Sequence, residues 1–348
     1  MYYVDFLIPS AIVSDEAGMP PSAGALFYSY YCGLASKITA GAGYAGRKNG
    51  SPAGSDGLPG CFGVQVLLDN GAALVYTVRM IIDTHCHLVH DKYEDLAQLR
   101  EDSLALGVGH CISQGTHPQD WLPQLELARR MPDFVTSCLA AHPSEVTNVS
   151  DEDFEYMANL CRQHPQAAIG EAGLDYFWDA PEGWDEAVYH ARQRVLLEKH
   201  FQLAQELGLN ISLHTRDKEG TACFDDAFAI ARNFPKVRPV FHCFIGSKEQ
   251  ADAVFEQLDG LISFTGIITF KKTTDVQQVA AWAPLERVMV ETDSPYLSPE
   301  PHRGKLNIPG RTRFVAEKLA ALRGITLEEV AAATTANACR FFRLPALG

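Results

Sequence analysis

From Met80 onward, short runs of apolar residues alternate with longer stretches in which apolar positions recur every three or four residues. The runs fall at 80–86 (MIIDTHC), 108–114 (VGHCISQ), 134–141 (FVTSCLAA), 167–171 (AAIGE), 211–215 (ISLHT), 239–243 (PVFHC), 261–265 (LISFT) and 288–293 (VMVETD). Their length and β-rich content predict strands, and their near-continuous apolarity predicts strands buried on both faces. The stretches between them, such as 93–106 and 187–208, predict helices. Gly107 follows the first and Gly208 closes the second, where helices commonly stop. Strands alternating with helices make parallel βα units. Eight such units over residues 80–348 match the count and size of a (β/α)8 TIM barrel. A doubly wound open sheet competes, but it would scatter the polar residues at the strand ends along an open edge.

The pattern before Met80 is different. Gly and Pro punctuate GAGYAGRKNGSPAGSDGLPG (41–60) too often for long helices. Two β-like runs, GVQVLLD (63–69) and ALVYTVRM (73–80), flank Asn70-Gly71, a hairpin signal. Residues 1–79 hold five acids and four bases, and all twelve histidines follow Met80. Residues 1–79 are therefore expected to be an N-terminal extension without recognisable chemistry. It is either an accessory hairpin with loops or a poorly ordered segment upstream of a start at Met80.

Composition narrows the class. Of 348 residues, 47% are hydrophobic and 21% charged, the balance of a globular protein with a full-sized core. The formal net charge of −14 argues against a broad basic surface that coats duplex DNA, because neutralising phosphates needs cations. It leaves open a nucleic-acid enzyme whose cations are bound metals. The nine cysteines are scattered with no CxxC pair, so neither a zinc ribbon nor a thioredoxin-type site is indicated. Unclustered thiols suit a reducing cytoplasm. The opening MYYVDFLIPS lacks the basic start of a signal peptide, and the apolar stretch 23–35 is broken by Ser29 and Gly33. That stretch falls short of the ~20 residues of a membrane span. A cytoplasmic protein with no membrane and no obligate protein partner is the expectation.

Ionisable residues sit where five of the strands end. The first strand carries Asp83, His85 and His87, the fourth Glu171, the fifth His214, the sixth His242 and the eighth Asp293. Residues two apart on a strand share a face, so His85 and His87 project together. In a barrel the C-terminal strand ends converge on one mouth, where the chemistry is placed. Each residue alone has a plainer explanation: a buried hydrogen-bonded histidine, an acid held by a backbone amide, or a helix cap at Asp293. Four histidines and two carboxylates converging on one mouth point instead to divalent metal. Imidazole and carboxylate donors without thiolate suit Zn²⁺, Mn²⁺, Fe or Ni, and Mg²⁺ where carboxylates dominate. Six donors exceed the need of one four-coordinate catalytic ion, and they suffice for two ions sharing a carboxylate.

The segments IIDTHCHL (81–88), IGEAGLDY (169–176), LHTRD (213–217), FHCFIGS (241–247) and ETDSPYLSPEPHRGKLNIP (291–309) resemble, in order and at normal spacing, the signature segments of the TatD family. That family comprises metal-dependent DNases among the amidohydrolase-like barrels. The resemblance runs from Met80 to the C-terminus, including the helix-like ATTANACRFF (333–342), and does not cover 1–79. It implies that His85, His87, Glu171 and Asp293 hold one metal, and that Glu171, His214 and His242 hold a second, with Glu171 bridging. It also implies phosphodiester hydrolysis in DNA, often as a 3′–5′ exonuclease and on RNA in some members. The nucleophile would be a hydroxide activated by the two ions, with Asp293 as its acid/base partner.

Further residues are candidates around that centre. Arg216 and Arg303 are positioned to hold phosphate oxygens, unless salt bridges occupy them. His142, in AAHP (140–143) where the family usually has Gly-x-His-Pro, is a candidate substrate contact. Asp83 lies deeper on its strand and is a candidate to orient a ligand imidazole. Asp175 and Tyr176 read as loop structure. Tyr93, Trp121, Trp178 and Phe270 read first as packing and second as candidates for stacking on bases, and Lys271-Lys272 reads first as a solvated loop and second as a contact to a nucleic-acid backbone. The alternative within the enzyme class is a small-molecule ester, lactone or amide hydrolase on the same barrel, since fold alone does not settle function. A non-catalytic binding subunit is a third possibility, opposed by the completeness of the donor set.

Overall fold

The structure is a computed structural model that describes residues 62–69 and 72–344. The chain divides into two units, the second spanning Arg79–Leu347. Ahead of it, β1 (Phe62–Asp69) and β2 (Ala72–Arg79) form a two-stranded sheet, and the Asn70-Gly71 pair of the expected hairpin lies outside the described residues. The rest of the expected extension, including the Gly/Pro-rich tract 41–60, lies outside the described residues.

The second unit is built on eight parallel strands. They are β3 (Ile81–Cys86), β4 (Val108–Gly115), β5 (Val135–Leu139), β6 (Ile169–Tyr176), β7 (Ile211–Asp217), β8 (Pro239–Phe241), β9 (Leu261–Phe264) and β10 (Val288–Val290). They pair in chain order from β3 to β10. The first and last meet across a seam that is not a regular ladder: the amide of His87 donates to Ser294 O at 2.7 Å, and that of Asp293 to His85 O at 2.9 Å. Helices follow the strands: α1 (Leu96–Ala105), α2 (Trp121–Arg130), α3 (Asp151–Gln163), α4 (Glu186–Leu207), α5 (Ala222–Ala231), α6 (Lys248–Leu258), α7 (Thr274–Trp282), α8 (Thr312–Arg323) and α9 (Leu327–Phe342). This is the TIM barrel that the strand-and-helix alternation predicts. Among the described residues, no helix is long and apolar enough to cross a membrane.

The core has two parts. Between strands and helices lie side chains such as Val108, Ile169, Leu196, Phe201, Phe241 and Phe264. At one end of the barrel, Phe341 and Phe342 of α9 pack with Ile82, Ile112, Cys138, Val240 and Met289 from five strands. The apolar positions of the strands thus seal one end, leaving the polar strand ends to form the other. Gly208 ends α4 in the left-handed region at φ 64°, as its place in the sequence predicts.

Three strands differ from the sequence pattern. β10 stops at Val290 rather than 293, because Glu291 to Asp293 turn away from the ladder and Asp293 sits at φ 56°. β8 stops at Phe241, just before His242. β6 runs five residues beyond the predicted 171, to Tyr176, because Ala172 to Tyr176 pair with Leu213 to Asp217 of β7. Gly and Asp are weak strand formers; cross-strand pairing overrides them here. In that pairing Gly173 faces His214 so closely that a Cβ would overlap the His214 carbonyl oxygen.

Candidate metal centre

Glu171, buried at the mouth on β6, is the hub. Its Oε2 lies 3.2 Å from His85 Nε2 and 3.4 Å from His87 Nε2. Its Oε1 lies 2.8 Å from His242 Nε2, 2.9 Å from His214 Nδ1 and 3.5 Å from His142 Nε2. Asp293 completes the first side, with Oδ1 3.3 Å from His87 Nε2 and 3.8 Å from His85 Nε2. The structure therefore brings together all six residues that the strand ends predict, and adds His142. Within this cluster three sets of donor atoms are compact: His85, His87 and Glu171; His142, Glu171 and His214; and His85, His242 and Asp293.

The chemistry of the donor set fits cations. Five imidazoles converge on one carboxylate, more than its two oxygens accept in good geometry. His214 Nδ1 and His242 Nε2 also lie only 3.2 Å apart, and the rings of His85 and His242 stack at 3.8 Å. Burial opposes charge on Glu171, but His242, His85 and His142 outweigh it and hold the carboxyl well below its usual range. Burial likewise opposes charge on His242, while Glu171 and Glu291 drive it well above the ordinary imidazole value. His85, by contrast, is lowered by burial and by His242. The pocket is thus an electrostatic sink for positive charge, which bound metal would supply in place of protons.

A second layer orients the rings. Asp175 Oδ2 lies 3.4 Å from His214 Nε2, and Glu291 Oε1 lies 3.4 Å from His242 Nδ1. These contacts face the inner nitrogens, Nδ1 of His214 and Nε2 of His242, toward Glu171. His85 Nδ1 meets only a hydroxyl, Ser212 Oγ, at 3.4 Å. His142 Nδ1 accepts from the Ser144 amide at 3.1 Å, which directs Nε2 inward. Sequence reasoning passed over Glu291 and gave Asp175 a loop role. The signal was present for both: each is an acid near the end of a buried strand, four residues after Glu171 or two before Asp293.

The remaining candidates divide. Asp83 does not touch a ligand ring; its carboxylate accepts from the Thr292 amide at 2.9 Å and from the His85 amide at 3.3 Å. It holds backbone on both sides of the seam, and burial pushes its carboxyl up to about 8. Trp121 is buried, its indole N–H donating to Ala140 O at 2.8 Å, so it cannot stack on a base. The Tyr93 hydroxyl donates to Asn307 O. Arg216 lies over the Phe177 ring at 3.8 Å, and Arg303 over Phe270 at 4.2 Å. Among the described residues, neither guanidinium has a carboxylate partner. Lys271 and Lys272 are exposed.

Residues 82–343 match the TatD related DNase family. YcfH of Escherichia coli K12, an uncharacterized metal-dependent hydrolase, is 37% identical over 274 residues, which cover 76% of this chain and 97% of YcfH. YabD of Bacillus subtilis, described in the same words, is 33% identical over 269 residues, covering 76% of this chain and 100% of YabD. The crystal structure of YjjV, a TatD homolog from Escherichia coli K12, superimposes with a TM-score of 0.68 at 27% identity, over 76% of this chain and 98% of YjjV. The barrel, its donor cluster and these likenesses agree, and the chain belongs to the TatD related DNase family of metal-dependent hydrolases.

Proposed function

We propose that residues 80–348 form a two-metal phosphodiesterase acting on DNA, with RNA as a further substrate, that removes nucleotides from the 3′ end. The observation that carries this is the division of Glu171 between two donor sets. One oxygen faces His85 and His87 beside Asp293, and the other faces His214 and His242. Two divalent ions there, Mg²⁺, Mn²⁺ or Zn²⁺, would supply a water nucleophile at neutral pH and neutralise charge on the phosphate.

The chain's own residues do the rest. Glu171 sets the spacing of the two halves, and the buried carboxylates Asp175 and Glu291 fix two of the imidazoles. Asp293 is the proton acceptor: its side chain remains 17% exposed at the mouth, beside His87. Arg216 and Arg303 lie over aromatic rings and, among the described residues, have no carboxylate partner, which leaves their N–H groups for phosphate oxygens. Those unpaired guanidiniums favour a phosphodiester over a neutral ester, lactone or amide. His142, whose Nε2 lies 3.5 Å from Glu171 Oε1, is the candidate substrate contact on that side. A cytoplasmic location accords with cysteines scattered singly along the chain with no CxxC pair.

The test is a nuclease assay of the full chain on single-stranded DNA labelled at either end, with each of the three metals in turn and Asp293→Asn alongside. Metal-dependent shortening that disappears in Asp293→Asn is the expected result, and the label reports its polarity. A metal-loaded protein that leaves both ends intact, yet hydrolyses an ester or lactone panel, would overturn the phosphodiester assignment.

A further inference from the structure

Two large aromatic side chains stand on the rim of the mouth, and packing does not account for their exposure. Trp178 is 60% exposed and Tyr296 47%. Strand order puts them on opposite sides of the centre. Trp178 follows β6, beside β7, whereas Tyr296 follows β10, beside the seam with β3. In a ring of eight strands those two positions face each other.

The Tyr296 backbone is hydrogen-bonded at both its amide and its carbonyl, and each ring has a cation over it. The Tyr296 amide donates to Asp293 O at 2.9 Å, and its carbonyl accepts from the amide of buried Asn307 at 2.6 Å. Its ring stands edge-on to that of His87, with centroids 6.4 Å apart. Its hydroxyl is 3.1 Å from His90 Nε2, and the Lys92 ammonium lies 5.0 Å from the ring centre. Trp178 meets Phe177 edge to face at 4.9 Å, and the Arg216 guanidinium lies 5.6 Å from the Trp178 ring. Each place therefore offers an exposed aromatic ring with a positive charge over it. A nucleotide presents the complement, a flat base attached to a phosphate.

Building on the phosphodiester reading above, we propose that Tyr296 and Trp178 are nucleobase-stacking platforms. They seat the two nucleotides on either side of the scissile phosphate, one beside His87 and the other beside Arg216. The Tyr296 platform adjoins Asp293 directly through the backbone, so it receives the nucleotide on the proton acceptor's side.

The test uses full-length, metal-loaded protein and two substrates. One is hexathymidylate; the other is the same oligomer with abasic residues in the two terminal positions at each end. Wild type should show a KM roughly tenfold or more lower for the intact oligomer, the size of a single base-stacking contribution. Tyr296→Leu and Trp178→Leu should each shrink that preference, and Tyr296→Phe, which keeps the ring, should retain it. Equal KM values for the two oligomers in wild type, or an undiminished preference in both leucine variants, would overturn the platforms and leave the phosphodiester reading standing. Wild-type turnover of methyl 4-nitrophenyl phosphate, which has no base, reports that reading separately. Failure on this diester and on both oligomers would remove the reading and the platforms together.

Discussion

Glu171 lies in contact with five imidazoles, and two of them keep a carboxylate at their backs. Removing such an outer partner from a metal-bound imidazole typically costs 10–100-fold in affinity. Asp175→Asn and Glu291→Gln should therefore each weaken metal binding by about 10–100-fold, read by calorimetric titration of the apoprotein. His85, backed only by Ser212, supplies the contrast: Ser212→Ala should change affinity less. Replacing the hub itself is more drastic. Glu171→Gln should strip the protein of metal on desalting and lower turnover by more than about 100-fold, beyond the effect of either outer partner. Retained metal content and activity would defeat the hub role. His85, His87, Glu171, His214, His242 and Asp293 were legible in the sequence because each interrupts or ends an apolar run with an ionisable group. Tyr296 was not, since an aromatic in a loop carries no periodicity that tells rim from core. Trp121 follows the packing reading, its burial being set by contact with the β5 loop rather than by its neighbours in sequence.

At the scale of elements, the connections that carry the site are tied down by buried polar residues rather than by regular structure. His200, on α4, accepts a hydrogen bond from the Ala141 amide at 3.0 Å, one residue before His142. Burial lowers its pKa to about 3, from ~6.5 in an unfolded chain. A group with a depressed folded value takes up protons preferentially on unfolding. Its contribution is complete above pH ~6.5 and declines as pH falls toward 3. Between pH 7.5 and 5 the apoprotein should lose about 2 kcal/mol from this residue, a loss that His200→Gln should not show. Urea unfolding of both proteins at the two pH values measures the difference. Gly173 is the corresponding device between β6 and β7. Gly173→Ala should displace His214 and lower affinity for metal, and an unaltered titration would contradict that. Neither tie was readable beforehand: the alternation of runs announces strands and helices, but not which loop a distant histidine will hold, nor how closely two strands approach.

For the molecule as a whole, the division of labour between the barrel ends follows from one sequence property, apolar strands with polar tips. The same property made the fold legible, and the strand count and order need no more than the alternation and the rule that parallel strands require crossovers. The closing seam escaped it, because the last run is cut short at Val290 and closure passes to residues outside any strand. Metal that binds only the folded barrel adds stability by mass action, about 2.7 kcal/mol at a concentration 100 times Kd. For a domain of this size a kcal/mol moves Tm by about 2–4 °C, so chelation should lower Tm by roughly 5–10 °C. A melting curve unmoved by chelator and by added Mn²⁺ or Zn²⁺ would show that the cluster holds no ion.

That seam joins the beginning of the barrel to its end: Asp83 grips Thr292 across 209 positions, and His85 and His87 are hydrogen-bonded to Asp293 and Ser294. During synthesis the first strand therefore waits for its last neighbour. At ribosomal rates of ~5–20 residues per second the wait is about 10–40 s. Throughout it, two of the histidines exist with no enclosure around them, and an edge of the growing sheet lies open to other chains. Metal capture is consequently a late event in the life of each molecule, and a nascent chain halted before Asp293 gains nothing from the ion that would steady the finished one.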